Sequence, residues 1–167
     1  MTPNVAAFLT MISHSEGTDR ADDPYRVCYA FKHTIIDLTY HPHQLRPDGT
    51  REWAGEPLSD AMCIAAGLHP GCVSTAAGRY QITWGTFDRL QSKIKVPDFT
   101  NPSQDDCCIE LIKEVGALEF INLGGIEDAI LLCSHLWASL PGNTAKQPQT
   151  KFAVLLDSYK NAGGIVA

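Results

Sequence analysis

Apolar residues at helical spacing recur along most of this chain, and they constrain its fold more than any other feature. Residues at i, i+3, i+4 and i+7 lie on one face of an α-helix, so each such run predicts an amphipathic helix. Thr2 and Pro3 can open the first helix, and Gly17 ends it, which leaves Glu16 at its C-terminal end. The runs begin at about Val5, Trp84, Asn101, Ile126 and Phe152.

The segment after the first helix has a different pattern. Val27–Phe31 and Thr34–Leu38 are rich in β-branched and aromatic residues, which predicts a small hairpin. Proline and glycine then recur from His41 to Ser74, as is typical of a long functional or mobile loop. We therefore predict an α+β fold that is mostly helical, with the hairpin and loop, about residues 25–74, as a β-hairpin lobe.

Length and composition narrow the class of protein. A chain of 167 residues is typical of one domain, so we predict a single domain over residues 1–167. The hydrophobic fraction of 44% excludes a disordered tail, and no apolar run is long enough to span a membrane. The net charge is −6 and basic residues are not clustered, which argues against a nucleic-acid partner.

The six cysteines are not spaced as zinc ligands, so we predict no metal site. Cys108 and Cys133 lie on apolar helical faces and are expected to be buried thiols. Cys63 and Cys72 share the long loop, and they would close a small disulfide loop in an oxidising compartment.

Glu16 stands where a charge is disfavoured, because the C-terminus of a helix carries the negative end of its dipole. One interpretation is a solvated glutamate at a frayed helix end. The other is a proton donor, since the dipole and burial in a cleft would raise its pKa towards neutrality.

A second candidate cluster runs from Ser74 to Ile82, where small residues precede polar and aromatic ones. Tyr80 would serve as a ring platform for a sugar, and Gln81 has both donors and acceptors for its hydroxyl groups. The alternative is a helix start with Tyr80 in the core.

Five motifs in order resemble the lysozyme (endolysin) family of bacteriophage lambda, namely 15–18, 24–27, 41–42, 77–82 and 137–142. The similarity covers almost the whole chain. It implies a lysozyme-like fold with a cleft between lobes, and a phage endolysin for host cell lysis. Members are lytic transglycosylases that cleave peptidoglycan between N-acetylmuramic acid and N-acetylglucosamine and need no cofactor.

The resemblance implies that Glu16 is the catalytic acid. One carboxyl group then suffices, because the C6 hydroxyl of muramic acid attacks within the same molecule and yields 1,6-anhydromuramic acid. Gln81 also matches a Gly-x-x-Gln element near the cleft of other transglycosylases and goose-type lysozymes. The insertion at about residues 49–74, the stretch 143–149, and Arg26 in place of an acid depart from the lambda pattern.

Several substrate-binding assignments stay open at this level. Asp37 would assist catalysis in a water-using muramidase, or it is a charge at the hairpin edge. Arg79 pairs with a carboxylate of the substrate or makes a structural ion pair, and Ser139 lines the cleft or caps a turn. A glycan-binding virion protein without catalysis is a further alternative, which the intact Glu16 and Gln81 disfavour.

Expectations about location and partners follow from the first residues. No basic region precedes the short apolar segment Val5–Ile12, so we predict no signal peptide. The protein would then be made in the host cytoplasm and released through a separate holin to the periplasm, where peptidoglycan glycan strands are its partner. We expect a monomer that does not insert into membranes.

Overall fold

A computed structural model describes residues 1–144 and 148–167, so part of the divergent 143–149 stretch lies outside the described residues. In this part of the chain there are seven α-helices and one two-stranded antiparallel sheet. The helices are α1 (Pro3–Glu16), α2 (Asp60–Ala65), α3 (Trp84–Ile94), α4 (Asn101–Glu114), α5 (Ala117–Leu123), α6 (Ile126–Cys133) and α7 (Phe152–Asn161). The strands are β1 (Glu56–Pro57) and β2 (Val73–Ser74), in which Glu56 pairs with Ser74 and Pro57 with Val73.

The chain divides into two compact units, residues 1–20 with 108–167, and residues 21–107. In the first unit α1 packs against α5 and α7, and α5 packs against α6. Its buried side chains include those of the predicted helical faces, among them Phe8, Ile12, Ile130 and Leu155. The Thr2 hydroxyl caps α1 by accepting from the amide of Val5, as the sequence predicts.

The second unit has an aromatic core around a buried histidine. His41 is fully buried against Phe87 and Phe99, with ring centroids 5.7 and 4.7 Å from its own. Its Nε2 donates to the carbonyl of Ile82, and its Nδ1 accepts from the amide of His43, which fixes one neutral tautomer. The His-Pro motif at 41–42 therefore has a structural role in this unit.

The predicted hairpin at 27–38 is wrong. A single antiparallel bridge joins Val27 to Thr34, and short 3₁₀ turns replace the strands. The sheet instead forms inside the long loop, between β1 and β2. The backbone of the expected second strand is held by side chains: Arg26 Nη1 donates to the carbonyls of Ile35 and Ile36, and Glu52 accepts from the amides of Ile36 and Asp37.

The long loop is ordered by a disulfide between Cys63 and Cys72, the pair that the sequence singles out. The bridge joins α2 to the residue before β2, and Cys63 is the buried residue of α2. The other cysteines, Cys28, Cys107, Cys108 and Cys133, are free and buried.

One helix of the first unit is not indicated by the sequence. α5 forms between Gly116 and Gly124, where the sequence shows no clear periodicity, and the helix that begins at Ile126 ends at Cys133. Within the described residues, each helix is too short or too polar to cross a bilayer.

Candidate active site

Glu16 is the last residue of α1, and Gly17 fixes the point at which the helix ends. Gly17 has a left-handed φ of 71°, and a Cβ atom there would lie 2.1 Å from the guanidinium of Arg20. The buried hydroxyls of Ser13 and Thr18 lie 2.9 Å apart across the turn. Glu16 is thereby held at the negative end of the helix dipole.

A chain of two hydroxyl groups reaches this carboxylate. Ser139 Oγ donates to Glu16 Oε1 at 2.5 Å, and Ser15 Oγ donates to Ser139 Oγ at 2.7 Å. The position of Ser139 follows from its neighbours Trp137 and Leu140, which are both buried. The sequence left cleft lining and turn capping open for Ser139, and the structure shows its hydroxyl in direct contact with Glu16.

Burial raises the pKa of Glu16, because desolvation disfavours the charged carboxylate. The hydrogen bond from Ser139 favours the charged form and opposes part of that rise. In the described part of the chain, no charged side chain contributes to the shift. Glu16 is therefore a carboxyl group whose environment retains a proton to higher pH than usual, as a general acid requires.

Arg79 and Tyr80 lie in the second unit, in a network with Tyr25 and Asp105. Tyr80 and Tyr25 each donate from the hydroxyl to Asp105 Oδ1, at 2.5 and 2.9 Å. Arg79 Nη1 donates to the Tyr25 hydroxyl, and its guanidinium lies over both tyrosine rings. Because Tyr80 is 0% exposed, its predicted use as a sugar platform is wrong. Tyr80 is therefore a core residue. Arg79 makes structural contacts with Tyr25 and Tyr80.

Gln81 is partly exposed but is engaged on one side. Its Nε2 donates to the carbonyls of Val27 and Gly78, at 3.1 and 2.9 Å, so its Oε1 is the atom with which it can meet a ligand. Gly78 must be glycine here, since its φ is 76° and a Cβ would lie 2.1 Å from the side-chain oxygen of Gln104.

Asp37 lies in the second unit and makes a local turn. Its Oδ1 accepts from the amide of Thr39 at 2.9 Å, and hydrogen bonds from the side chain and the amide of Thr39 lower the pKa of Asp37. Its side chain is 44% exposed and lies 3.5 Å from Arg46. Asp37 is an ordinary ionised carboxylate, so its environment is not that of a proton donor.

Two residues of these sites escaped the sequence analysis. Ser15 lies within the Ser-Glu-Gly-Thr motif, but the spacing gives no sign that its hydroxyl would reach residue 139. Glu52 accepts from His33, Ile36, Asp37 and Arg46 and is nearly buried, although it stands alone in an irregular loop. Burial acts to raise the pKa of Glu52, but these hydrogen bonds outweigh it and lower the pKa.

The free thiols are not candidate nucleophiles. Burial raises the pKa of Cys28, Cys107 and Cys133 to about 12, so each is protonated at neutral pH. The described residues also contain no group of three or more His, Cys, Asp or Glu side chains arranged to hold a metal ion.

Comparison with known proteins gives a consistent result along the whole chain. The Endolysin family model matches residues 6–166. The endolysins of Escherichia phages P2 and lambda are each 34% identical, over 98% and 96% of this chain and 95% and 91% of their own lengths.

Solved structures of bacteriophage lambda lysozyme share this fold. One, in complex with a chitohexasaccharide, superposes with a TM-score of 0.80 at 33% identity, covering 100% of this chain and 98% of the lambda chain. A second lambda lysozyme structure gives a TM-score of 0.76 at 32% identity with the same coverage. The chain therefore belongs to the endolysin family, the phage enzymes that lyse the cell wall, and has the lambda lysozyme fold.

Proposed function

We propose that this endolysin is a lytic transglycosylase in which Glu16 is the acid and then the base. The observation that carries the proposal is the environment of Glu16, a carboxyl group with a pKa raised by burial and one hydrogen bond from Ser139. Such a group keeps its proton to higher pH than an ordinary carboxyl group and can release it to a leaving oxygen.

In the first step the Glu16 carboxyl group gives its proton to the oxygen between C1 of N-acetylmuramic acid and C4 of N-acetylglucosamine. The C1–O bond breaks, its electron pair stays with the leaving oxygen, and positive charge develops at C1. Ser139 occupies Oε1 of Glu16 as a donor, so the transferable proton belongs on Oε2.

In the second step the C6 hydroxyl of the same muramic acid attacks C1, and its proton returns to the Glu16 carboxylate. A C1–O6 bond replaces the broken bond, and no water is consumed. The enzyme ends in the protonated state in which it began. Because the nucleophile is already part of the bound substrate, the step gains the rate advantage of proximity.

The pKa of Glu16 favours this one-carboxylate scheme over a muramidase. A conventional glycosidase places two carboxyl groups on either side of the bond, and each affects the pKa of the other. In the part of the chain that the structure describes, the shift at Glu16 has no acidic contributor. Asp37 has an exposed side chain with a lowered pKa, and it is proposed to bind substrate hydroxyl groups.

Gln81 is proposed as a substrate-binding residue that accepts from a sugar hydroxyl or amide through Oε1. Arg79 supports the Tyr25 hydroxyl and is proposed to act by positioning. The lambda lysozyme that binds a chitohexasaccharide supports an extended oligosaccharide as the ligand class. We expect the enzyme to work as a monomer on peptidoglycan strands.

We also propose synthesis in the host cytoplasm, release through a separate holin, and action in the periplasm. The Cys63–Cys72 disulfide supports action in an oxidising compartment, because such bonds form in the bacterial periplasm and are rare in the cytosol.

The mechanism is tested by digesting purified Gram-negative sacculi in water enriched in ¹⁸O. We expect muropeptides that end in 1,6-anhydromuramic acid, have no added water and carry no ¹⁸O. Reducible muramic acid ends that carry ¹⁸O would instead identify a muramidase.

Glu16→Gln keeps the size and hydrogen bonding of the side chain but removes the transferable proton. The rate of lysis should fall by roughly 10²- to 10⁴-fold, with unchanged circular dichroism. Glu119→Gln is the matched control, since it makes the same change at an exposed position in the first turn of α5. An unimpaired Glu16→Gln enzyme would remove Glu16 from the mechanism.

A further inference from the structure

Phe31 projects from a turn in which two successive residues have unfavourable backbone conformations. Ala30 has φ 50° and ψ 29°, and Phe31 has φ 60°. Left-handed conformations are costly for residues with a Cβ atom, and a bulky residue there is an outlier. Glycine would be accommodated at both positions without strain.

Side-chain packing within the protein does not offset this backbone strain. The side chain of Phe31 is 52% exposed, and Ala30 is exposed as well. A fold selected for stability alone would place glycine at both positions, and would not present a large aromatic ring to water. Strain that internal contacts do not offset is typical of segments that meet a ligand.

A pocket of about 270 Å³ lies beside this ring. Its walls combine one aromatic ring with hydroxyl, carboxylate, imidazole and guanidinium groups, from Phe31, Thr34, Asp22, Asp23, His33 and Arg26. The carboxylate of Asp22 is exposed, whereas Asp23 is engaged with the Arg26 guanidinium at 3.1 Å. An apolar wall with a few polar groups around it matches a ligand that has one apolar face and a hydroxylated edge.

The pocket is held in shape by its own hydrogen bonds. Arg26 is tied to the carbonyls of Ile35 and Ile36, and the His33 Nε2 lies 2.8 Å from Glu52. The amide of Phe31 donates to the carbonyl of Cys28. A ring presented from such a fixed segment loses little freedom when it binds, which favours affinity.

We propose that Phe31 and this pocket bind a pyranose ring of the glycan strand. The ring of Phe31 packs against the apolar C–H face of the sugar, and Asp22 and Thr34 bond to its hydroxyl groups. The identity of the polymer as peptidoglycan rests on the proposed function. The site itself is a contact for amino-sugar chains that lies wholly within residues 21–107.

The test measures binding rather than cleavage, in a Glu16→Gln background, by co-sedimentation with purified Gram-negative sacculi. Phe31→Ala should raise the apparent Kd by about ten-fold, as is typical when an aromatic anchor is truncated. Phe31→Tyr should bind like the parent, because it keeps the ring. Phe31→Leu, apolar but not aromatic, should bind as weakly as Phe31→Ala.

Two controls separate the ring from surface apolarity and from strain. Ile36 is 80% exposed and does not line the pocket, so Ile36→Ala should leave the Kd unchanged. Ala30→Gly relieves strain and keeps the ring, so it should bind normally with a Tm raised by roughly 2 °C. Phe31→Gly should likewise melt above Phe31→Ala but bind as weakly.

Normal binding by a folded Phe31→Ala or Phe31→Leu protein would overturn the proposal, as would an equal loss in Ile36→Ala. The transglycosylase assignment fails by a different readout, the ¹⁸O content of the products, which does not depend on Phe31.

Discussion

At the scale of single residues, the proposed chemistry depends on how two serines contact one carboxyl group. The Ser15 hydroxyl directs that of Ser139, which in turn occupies one oxygen of Glu16. The hydrogen bond to Oε1 works against burial, so it limits the rise in the pKa of Glu16. Both halves of the proposed reaction need this balance.

Ser139→Ala should therefore raise the pKa of Glu16 further and move the alkaline limb of the pH–rate profile to higher pH. Ser15→Ala should move it in the same direction but less, because Ser139 keeps its hydroxyl. The profile of kcat/KM against pH on sacculi is the measurement. Ser134→Ala, which removes a hydroxyl bonded to the carbonyl of Leu131, is the matched control and should not shift the limb. If the alkaline limb is unshifted in both Ser139→Ala and Ser15→Ala, the two serines do not affect the pKa of Glu16.

At the scale of elements, helices with a cap and apolar periodicity could be predicted from the sequence. Hydrogen bonds from side chains to distant backbone groups could not. α1 and α3 form where apolar periodicity and a capping threonine coincide. The hairpin failed because Arg26 and Glu52 bind backbone groups that a second strand would have paired. That competition involves residues far apart in sequence, so local β-propensity could not reveal it.

The disulfide should stabilise α2 most, because this helix has six residues and only one of them is buried. An isolated helix of this length is not stable in water, and the exposed Ile64 and Leu68 add little packing. Reduction, or Cys72→Ser, should speed amide exchange in α2 by on the order of ten-fold or more. Amides of α3 are the internal control and should not change. Equal protection of α2 in oxidised and reduced protein would show that the bridge is dispensable for it.

At the scale of the whole molecule, the resemblance in the motifs predicted the lambda lysozyme fold, since motif order is set by the entire chain. Local sequence was a poorer guide to the candidate site. The charge at a helix C-terminus singled out Glu16 but left its role open. Tyr80 was misassigned because burial depends on tertiary contacts with Tyr25 and Asp105.

The response of the folded chain to acid should be governed in part by His41, whose pKa burial lowers to about 4. Between about pH 6.5 and pH 4 the unfolded chain binds this proton and the folded chain does not. The free energy of unfolding is therefore highest above about pH 6.5. His41 lowers it by about 3 kcal/mol as the pH falls through this window. Urea unfolding from pH 4 to pH 7 measures it.

His41→Gln keeps a donor and an acceptor but does not titrate, so its stability should depend less steeply on pH in that window. His69→Gln, an exposed histidine, should keep the slope of the parent protein. If the slope of His41→Gln equals that of the parent, another group causes the acid sensitivity.

The burial of four cysteines has a consequence for biogenesis. Thiols with a pKa of about 12, such as those of Cys28, Cys107 and Cys133, are too seldom ionised to attack a disulfide once the core has closed. A chain that folds while reduced therefore has a single productive partner left for Cys63, which is Cys72. Oxidation after folding then has one outcome, and the enzyme can acquire its crosslink without a disulfide isomerase to correct mispaired forms.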